Sequence, residues 1–203
     1  MNPPPLCFET ICVQKRQFSN LLSYHEARLN RTRAVLWNVS DPVDLFSVLT
    51  IPEDIGPEKY KCRVTYGAEV VSIEWEKYQF RPIQSLRLVE DNSIDYAFKY
   101  KNREALNVLH AQRGDCDDVL IVKNGLITDT SYANVAFFDG TAWYTPFQSL
   151  LPGAQRAFLL NSGVVVPKEI RVGDLPGYCA VKLFNAMVSW EESHLLSSNC
   201  LLK

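Results

Sequence analysis

The sequence predicts an α+β fold in two parts. Three observations predict it: a helix signal set among strand-like runs over residues 1–80, the hairpin turns Asn124-Gly125 and Asp139-Gly140, and the interruption Arg81-Pro82-Ile83. Pro82 fixes its own φ and lacks an N–H, so neither regular element runs through it. Residues 1–80 therefore read as a small N-terminal α+β domain and residues 81–203 as a C-terminal domain.

In chain order, Phe8 to Val13 is rich in β-formers and alternates weakly, as a strand does. Ser23-Tyr24-His25-Glu26 fits a capping box, with Ser23 and Glu26 satisfying first-turn amides of a helix. That helix is expected to run to about Trp37, where Asn38 ends it in the left-handed region. Asp41-Pro42 resembles a second helix cap. Tyr60 to Tyr66 and Glu69 to Glu76 read as strands paired around Gly67. Beyond Pro82, Lys101 to Gln112 reads as a helix. Val119 to Val122 and Leu126 to Thr128 flank Asn124-Gly125, a strong two-residue hairpin signal. Asn134 to Phe138 and Ala142 to Thr145 flank Asp139-Gly140. Pro152-Gly153 opens a helix ending near Gly163, and Val164 to Val172 and Cys179 to Phe184 complete the strand candidates. The sequence has no internal repeat and no low-complexity segment.

Composition narrows the function classes. With 21 Lys and Arg against 23 Asp and Glu, the net charge of −2 gives no electrostatic footprint for nucleic acid. No apolar run reaches the length of a membrane span. Met1-Asn2-Pro3-Pro4-Pro5 has neither a basic nor an apolar signal region, so a cytoplasmic location is expected. The six cysteines (Cys7, Cys12, Cys62, Cys116, Cys179 and Cys200) include no Cys-x-x-Cys pair and lie among apolar neighbours, as reduced buried thiols do. Neither they nor His25, His110 and His194 have zinc spacing, so no metal is expected.

Three separated segments carry chemistry. The densest runs from Gly125 through Asp129-Thr130-Ser131-Tyr132-Ala133-Asn134, then Thr145-Pro146, then Leu151-Pro152-Gly153-Ala154-Gln155-Arg156. Upstream stand Lys99-Tyr100-Lys101-Asn102-Arg103 and His25-Glu26-Ala27-Arg28-Leu29. In this order they resemble the class IV aminotransferases of the pyridoxal-phosphate enzymes, and the Lys-x-x-Asn-Arg run resembles the aminodeoxychorismate lyase branch. The resemblance spans roughly residues 8 to 190.

What the resemblance implies can be stated residue by residue. It implies a two-domain class IV fold whose C-terminal domain binds pyridoxal 5′-phosphate and carries the lysine. Lys99 would be the Schiff-base lysine, whose amine must be able to lose its proton. Lys101 is the rival, because in an extended segment the two share a face. Asp129 stands where the family has a glutamate facing the pyridine nitrogen; its other reading is a turn aspartate bonding its own backbone. Arg28 would grip the phosphate, although it is one of three arginines on its helix. The amides of Ala154 and Gln155, at a helix start, would complete the phosphate cup. Gln155 replaces a threonine common in relatives, and Ala186 in Asn185-Ala186-Met187 replaces a second hydroxyl, leaving only its N–H. Gly153 and Asn185 otherwise simply serve turns. Arg103 would serve the cofactor oxygen or a substrate carboxylate, or else be an ordinary first-turn arginine; Arg156 reads as structural.

The resemblance does not choose the reaction. The first reading is an aminodeoxychorismate lyase, eliminating pyruvate to give 4-aminobenzoate. The second is a transaminase of branched-chain or D-amino acids. The third is a non-catalytic scaffold that keeps the fold. A homodimer is implied, with a partner loop completing the substrate pocket.

Overall fold

A computed structural model describes residues 5–197 and 201–202, so Cys200 lies outside the described residues. The chain forms two compact units: Met1–Gln79 with Phe98–Asn102, and Phe80–Ala97 with Arg103–Lys203.

The first unit is a helix on an antiparallel sheet. Strands β1 (Cys7–Gln14), β2 (Gln17–Phe18), β3 (Tyr60–Tyr66) and β4 (Val70–Lys77) lie in the order β2-β1-β3-β4. Alternation along β1 puts Cys7, Ile11 and Val13 into the core with Leu22 and Leu29 of helix α1 (Leu22–Trp37) and Cys62 and Val64 of β3. Asn38 ends α1 at φ 55°, as its sequence position suggests.

Two helix starts differ from expectation. Leu21, not Ser23, occupies the N-cap of α1, and no side chain caps it. Glu26 instead accepts the Leu45 N–H at 2.8 Å and ties α1 to the short helix α2 (Leu45–Val48). That helix is capped by Asp44, which accepts from Phe46 N, rather than by Asp41-Pro42.

The segment carrying Lys99 groups with the first unit, not with the second, where the sequence reading put it. Backbone hydrogen bonds draw it there. Phe8 N donates to Lys99 O at 3.0 Å, and Lys101 N to Leu6 O at 2.7 Å. Phe98 and Tyr100 then pack on the first core.

The second unit contains two sheets. Strands β5 (Leu86–Glu90), β6 (Asp118–Lys123), β7 (Leu126–Thr130) and the terminal Leu201–Leu202 form one of them. β5 and β6 are parallel, and helix α3 (Glu104–Ala111) lies between them in sequence. Helix α3 starts at Glu104, so Lys101 precedes it. The β6–β7 hairpin turns on Asn124 (φ 54°) and Gly125 (φ 74°), the two positive values that a tight primed turn requires.

The other sheet has β8 (Asn134–Phe138), β9 (Trp143–Pro146), β10 (Val166–Lys168), β11 (Ala180–Phe184) and β12 (Leu195–Ser197), in the order β10-β9-β8-β11-β12. The strand expected over Val164 to Val172 shrinks to β10, followed by a 3₁₀ turn at Val172–Gly177. Leu86, Leu120, Ile127, Val135, Phe137 and Val181 join the two sheets in one core. Helix α4 (Ala154–Asn161) packs Leu159 against Ala136 and Phe184. No helix among the described residues is long and apolar enough to cross a membrane.

Candidate active site

In the first unit the residues of interest gather around Glu9. Period-two alternation turns this carboxylate inward with Cys7 and Ile11, where α1 places His25 and Arg28 one turn apart. Arg28 holds it side-on: Nε donates to Oε1 at 2.9 Å and Nη2 to Oε2 at 2.5 Å. His25 Nδ1 lies 2.6 Å from Oε2. Burial would raise the Glu9 carboxyl, but Arg28 and His25 outweigh it and hold the pKa at about 2. Burial also lowers the His25 pKa in spite of Glu9, so the ring is neutral, with its Nδ1–H on Glu9. Its Nε2 is a buried acceptor with no hydrogen-bond partner.

Lys99 stands over the Phe8 ring, Nζ 4.9 Å from the centroid, and is half-buried, whereas Lys101 is exposed. The two rivals that spacing left tied thus occupy different environments. Glu9 carried a signal that went unread: a charged residue at a core-facing position of an otherwise apolar strand.

The Glu9 network makes stability depend on pH. The Glu9 pKa falls from 4.5 to about 2 on folding, so this contribution is complete above about 4.5 and is lost as pH drops toward 2. Its size is on the order of 3 kcal/mol. Arg28→Ala leaves a buried, uncompensated carboxylate and should cost about 3–5 kcal/mol of stability, read from denaturant midpoints. Pairing it with Glu9→Gln should restore most of that loss.

In the second unit Asp129 sits at the end of β7, 5% exposed. Asn134 Nδ2 donates to its Oδ1 at 2.8 Å and Leu151 N to its Oδ2 at 2.9 Å. Burial outweighs these bonds and the more distant Arg156, and pushes the carboxyl up to about 6. Arg156 spends its Nη2 on the Pro146 carbonyl at 2.7 Å, a structural use.

Gly153 caps α4 and has no side chain to offer, so the amides of Ala154 and Gln155 begin a helix without a side-chain cap. A Cβ at Gly153 would fall 2.0 Å from Asn134 Oδ1, so only glycine lets the two segments meet. Asn185 Oδ1 accepts from the Met187 and Val188 amides at 2.8 and 3.1 Å, bracketing Ala186 in a tight turn. Arg103 Nη2 donates to the Ser131 carbonyl at 2.7 Å, and its guanidinium lies 4.2 Å from the Tyr132 ring centroid. That turn is braced a second time: Ser131 Oγ and His110 Nδ1 both reach Asp118 Oδ1, at 2.5 and 3.0 Å. Spacing alone did not reveal this brace, since its residues come from α3, β6 and the β7–β8 turn.

The class IV aminotransferase family profile matches residues 6–190. The chain belongs to the class IV aminotransferases. It is therefore an enzyme of that kind. A Haemophilus influenzae protein of uncharacterised activity is 35% identical to this class IV chain over 182 residues, covering 89% of it and 96% of the relative. Among solved structures, a Haemophilus somnus protein provisionally named a 4-amino-4-deoxychorismate lyase is 30% identical, with a TM-score of 0.82 over 93% of this chain and 99% of its own. A Mesorhizobium loti protein provisionally named an amino-acid aminotransferase shares the fold at 21% identity, with a TM-score of 0.80 and coverage of 97% and 99%. So does the pyridoxal-phosphate-bound form of a hypothetical Mycobacterium tuberculosis aminotransferase, at 16% identity, a TM-score of 0.71 and coverage of 95% and 80%.

The second unit of this class IV enzyme fits that cofactor. A helix start without a side-chain cap suits a phosphate. A buried carboxylate raised by desolvation gains from a cationic N–H placed against it.

Proposed function

We propose that the protein is a pyridoxal-phosphate enzyme of the 4-amino-4-deoxychorismate lyase type, acting on a small amino substrate. The observation that carries this reading is the 30% identity, over nearly the full length of both chains, to the Haemophilus somnus protein of that provisional name. The Lys99-x-x-Asn102-Arg103 run agrees with it.

Pyridoxal phosphate, when bound, supplies an aldehyde for an amine and an aromatic ring that withdraws electrons from the carbon beside it. The residues would divide the remaining work. Lys99 would attach the cofactor through its Nζ and would move protons at that atom. Asp129 would keep a proton on the ring nitrogen. Arg28, held in place by its bonds to Glu9, would hold the phosphate. The amides of Ala154, Gln155 and Ala186 would add donors that need no hydroxyl. Arg103 would act by fixing the Ser131–Tyr132 turn next to Asp129. In the folded Arg28→Ala, Glu9→Gln variant, cofactor affinity should fall by about 1.5–3 kcal/mol even though the fold is restored, as titration would show.

The reading is tested by incubating purified protein with aminodeoxychorismate and measuring pyruvate. Pyruvate release with 4-aminobenzoate supports the lyase. Conversion of the cofactor to its amine form by amino acids, without pyruvate release from aminodeoxychorismate, replaces the lyase with a transaminase. A cofactor spectrum indifferent to every amine leaves an inert scaffold. We also propose a homodimer, twofold symmetry being the commonest oligomeric arrangement. Sedimentation should give twice the chain mass, and a monomer that turns over substrate would reject the dimer.

A further inference from the structure

We propose that Arg63 and Thr65 form a carboxylate-binding subsite on the sheet of the first unit, beside Lys99. The register sets the residues out. Thr65 pairs with Phe8 and Arg63 with Thr10 across β1 and β3. Alternation puts these four side chains on one face, the one opposite Glu9 and Ile11. Two cations bracket the Phe8 ring on this face: Lys99 Nζ at 4.9 Å and Arg63 Cζ at 5.3 Å from its centroid.

Two polar atoms on this face have no hydrogen-bond partner. Arg63 Nε is buried without a hydrogen-bond partner, and so is Thr65 Oγ1, on a residue 1% exposed. Neighbouring carboxylates do not fill the need. Glu74, opposite Arg63 in register, accepts from Ser72 Oγ at 3.4 Å, and Glu76 pairs with Lys61 at 2.7 Å. Arg63 acts on Glu76 only as a weak contributor behind Lys61. Buried donors left without acceptors are uncommon and are a standing cost to a fold, so a pair on one face beside a cation points to an acceptor brought from outside.

A carboxylate suits this arrangement. Its two coplanar oxygens can accept Nε–H and one Nη–H of Arg63 side by side, and the Thr65 hydroxyl can donate to one of them. The role this gives Arg63, holding the substrate's carboxylate while Lys99 meets its amine, rests on the reading of Lys99 above. The binding itself does not.

The test follows arginine Nε–H resonances of the full chain by ¹⁵N NMR during titration with succinate. The resonance missing from Arg63→Gln should shift and saturate in the wild type. Arg63→Gln should weaken succinate binding about tenfold or more, and Thr65→Val by a smaller factor. Arg63→Lys keeps the charge but not the paired N–H edge; it should show the same tenfold loss and stands in if the glutamine variant fails to fold. An Arg63 resonance that succinate leaves unmoved, or that inorganic phosphate moves at lower concentration, overturns the proposal. A parallel absorbance titration with pyridoxal phosphate separates the two readings. Succinate binding without cofactor uptake rejects the cofactor alone, and uptake with a silent Arg63 rejects the subsite alone.

Discussion

Borohydride reduction of the protein in the presence of pyridoxal phosphate should fix the cofactor on Lys99 and on no other lysine. The expectation follows from place and surroundings. Lys99 is half-buried against Phe8, in a segment tied by backbone hydrogen bonds to Phe8 and Leu6. Its amine is held in position, and an amine held in position reacts faster than one that samples solvent. Attack on an aldehyde needs the unprotonated amine, so attachment should strengthen as pH rises. Lys101 is exposed. Lys99→Ala should abolish the label, and turnover should fall by about 10²–10⁴-fold, the usual worth of a positioned proton-transfer group. Peptide mapping decides between the two lysines, and a label on Lys101 would reverse the assignment.

The elements legible in the sequence were those set by local chemistry. The Asn124-Gly125 turn, the left-handed Asn38 and the paired strands around Gly67 depend on residues close in the chain, where φ preference and alternation decide. What escaped was decided at a distance. Ser23-x-x-Glu26 meets the local rule for a capping box, yet Glu26 finds a better donor in Leu45 N, nineteen residues away. The segment 98–102 has no pattern that announces its membership; its backbone bonds to residues 6 and 8 decide it. The site shows the same division. Asp129 and Asn134 could be read from their motif, but the bond between them, and Leu151 N on the second oxygen, could not. Glu9 escaped because a single carboxylate in a strand is a weak signal until its partners on α1 are in place. Arg63 escaped for the opposite reason: what marks it is the absence of a partner for its Nε.

Replacing Asp129 with asparagine should slow proton removal from the substrate by about a hundredfold or more while sparing lysine attachment. The carboxylate is buried and raised to about 6, so at neutral pH it carries a charge that the fold does not fully compensate. A raised carboxyl favours the fold below about 3.8, and that advantage is lost as pH climbs through about 6. For Asp129 alone this is on the order of 3 kcal/mol. Wild-type apoprotein should therefore lose stability relative to Asp129→Asn across that interval, because the amide does not ionise. A protonated ring nitrogen would turn the same uncompensated charge to use, which is why its removal should appear in the chemical step, at about 3 kcal/mol or more. Asp129→Glu tests the geometry. Both oxygens are already bonded, so one more methylene must displace Asn134 or the Leu151 amide, and this variant should lose about 1–3 kcal/mol of stability yet keep measurable exchange. The measurement is exchange of the substrate α-hydrogen into deuterated water, followed on the samples used for melting. A well-folded Asp129→Asn protein exchanging at the wild-type rate would leave Asp129 as a turn residue and nothing more.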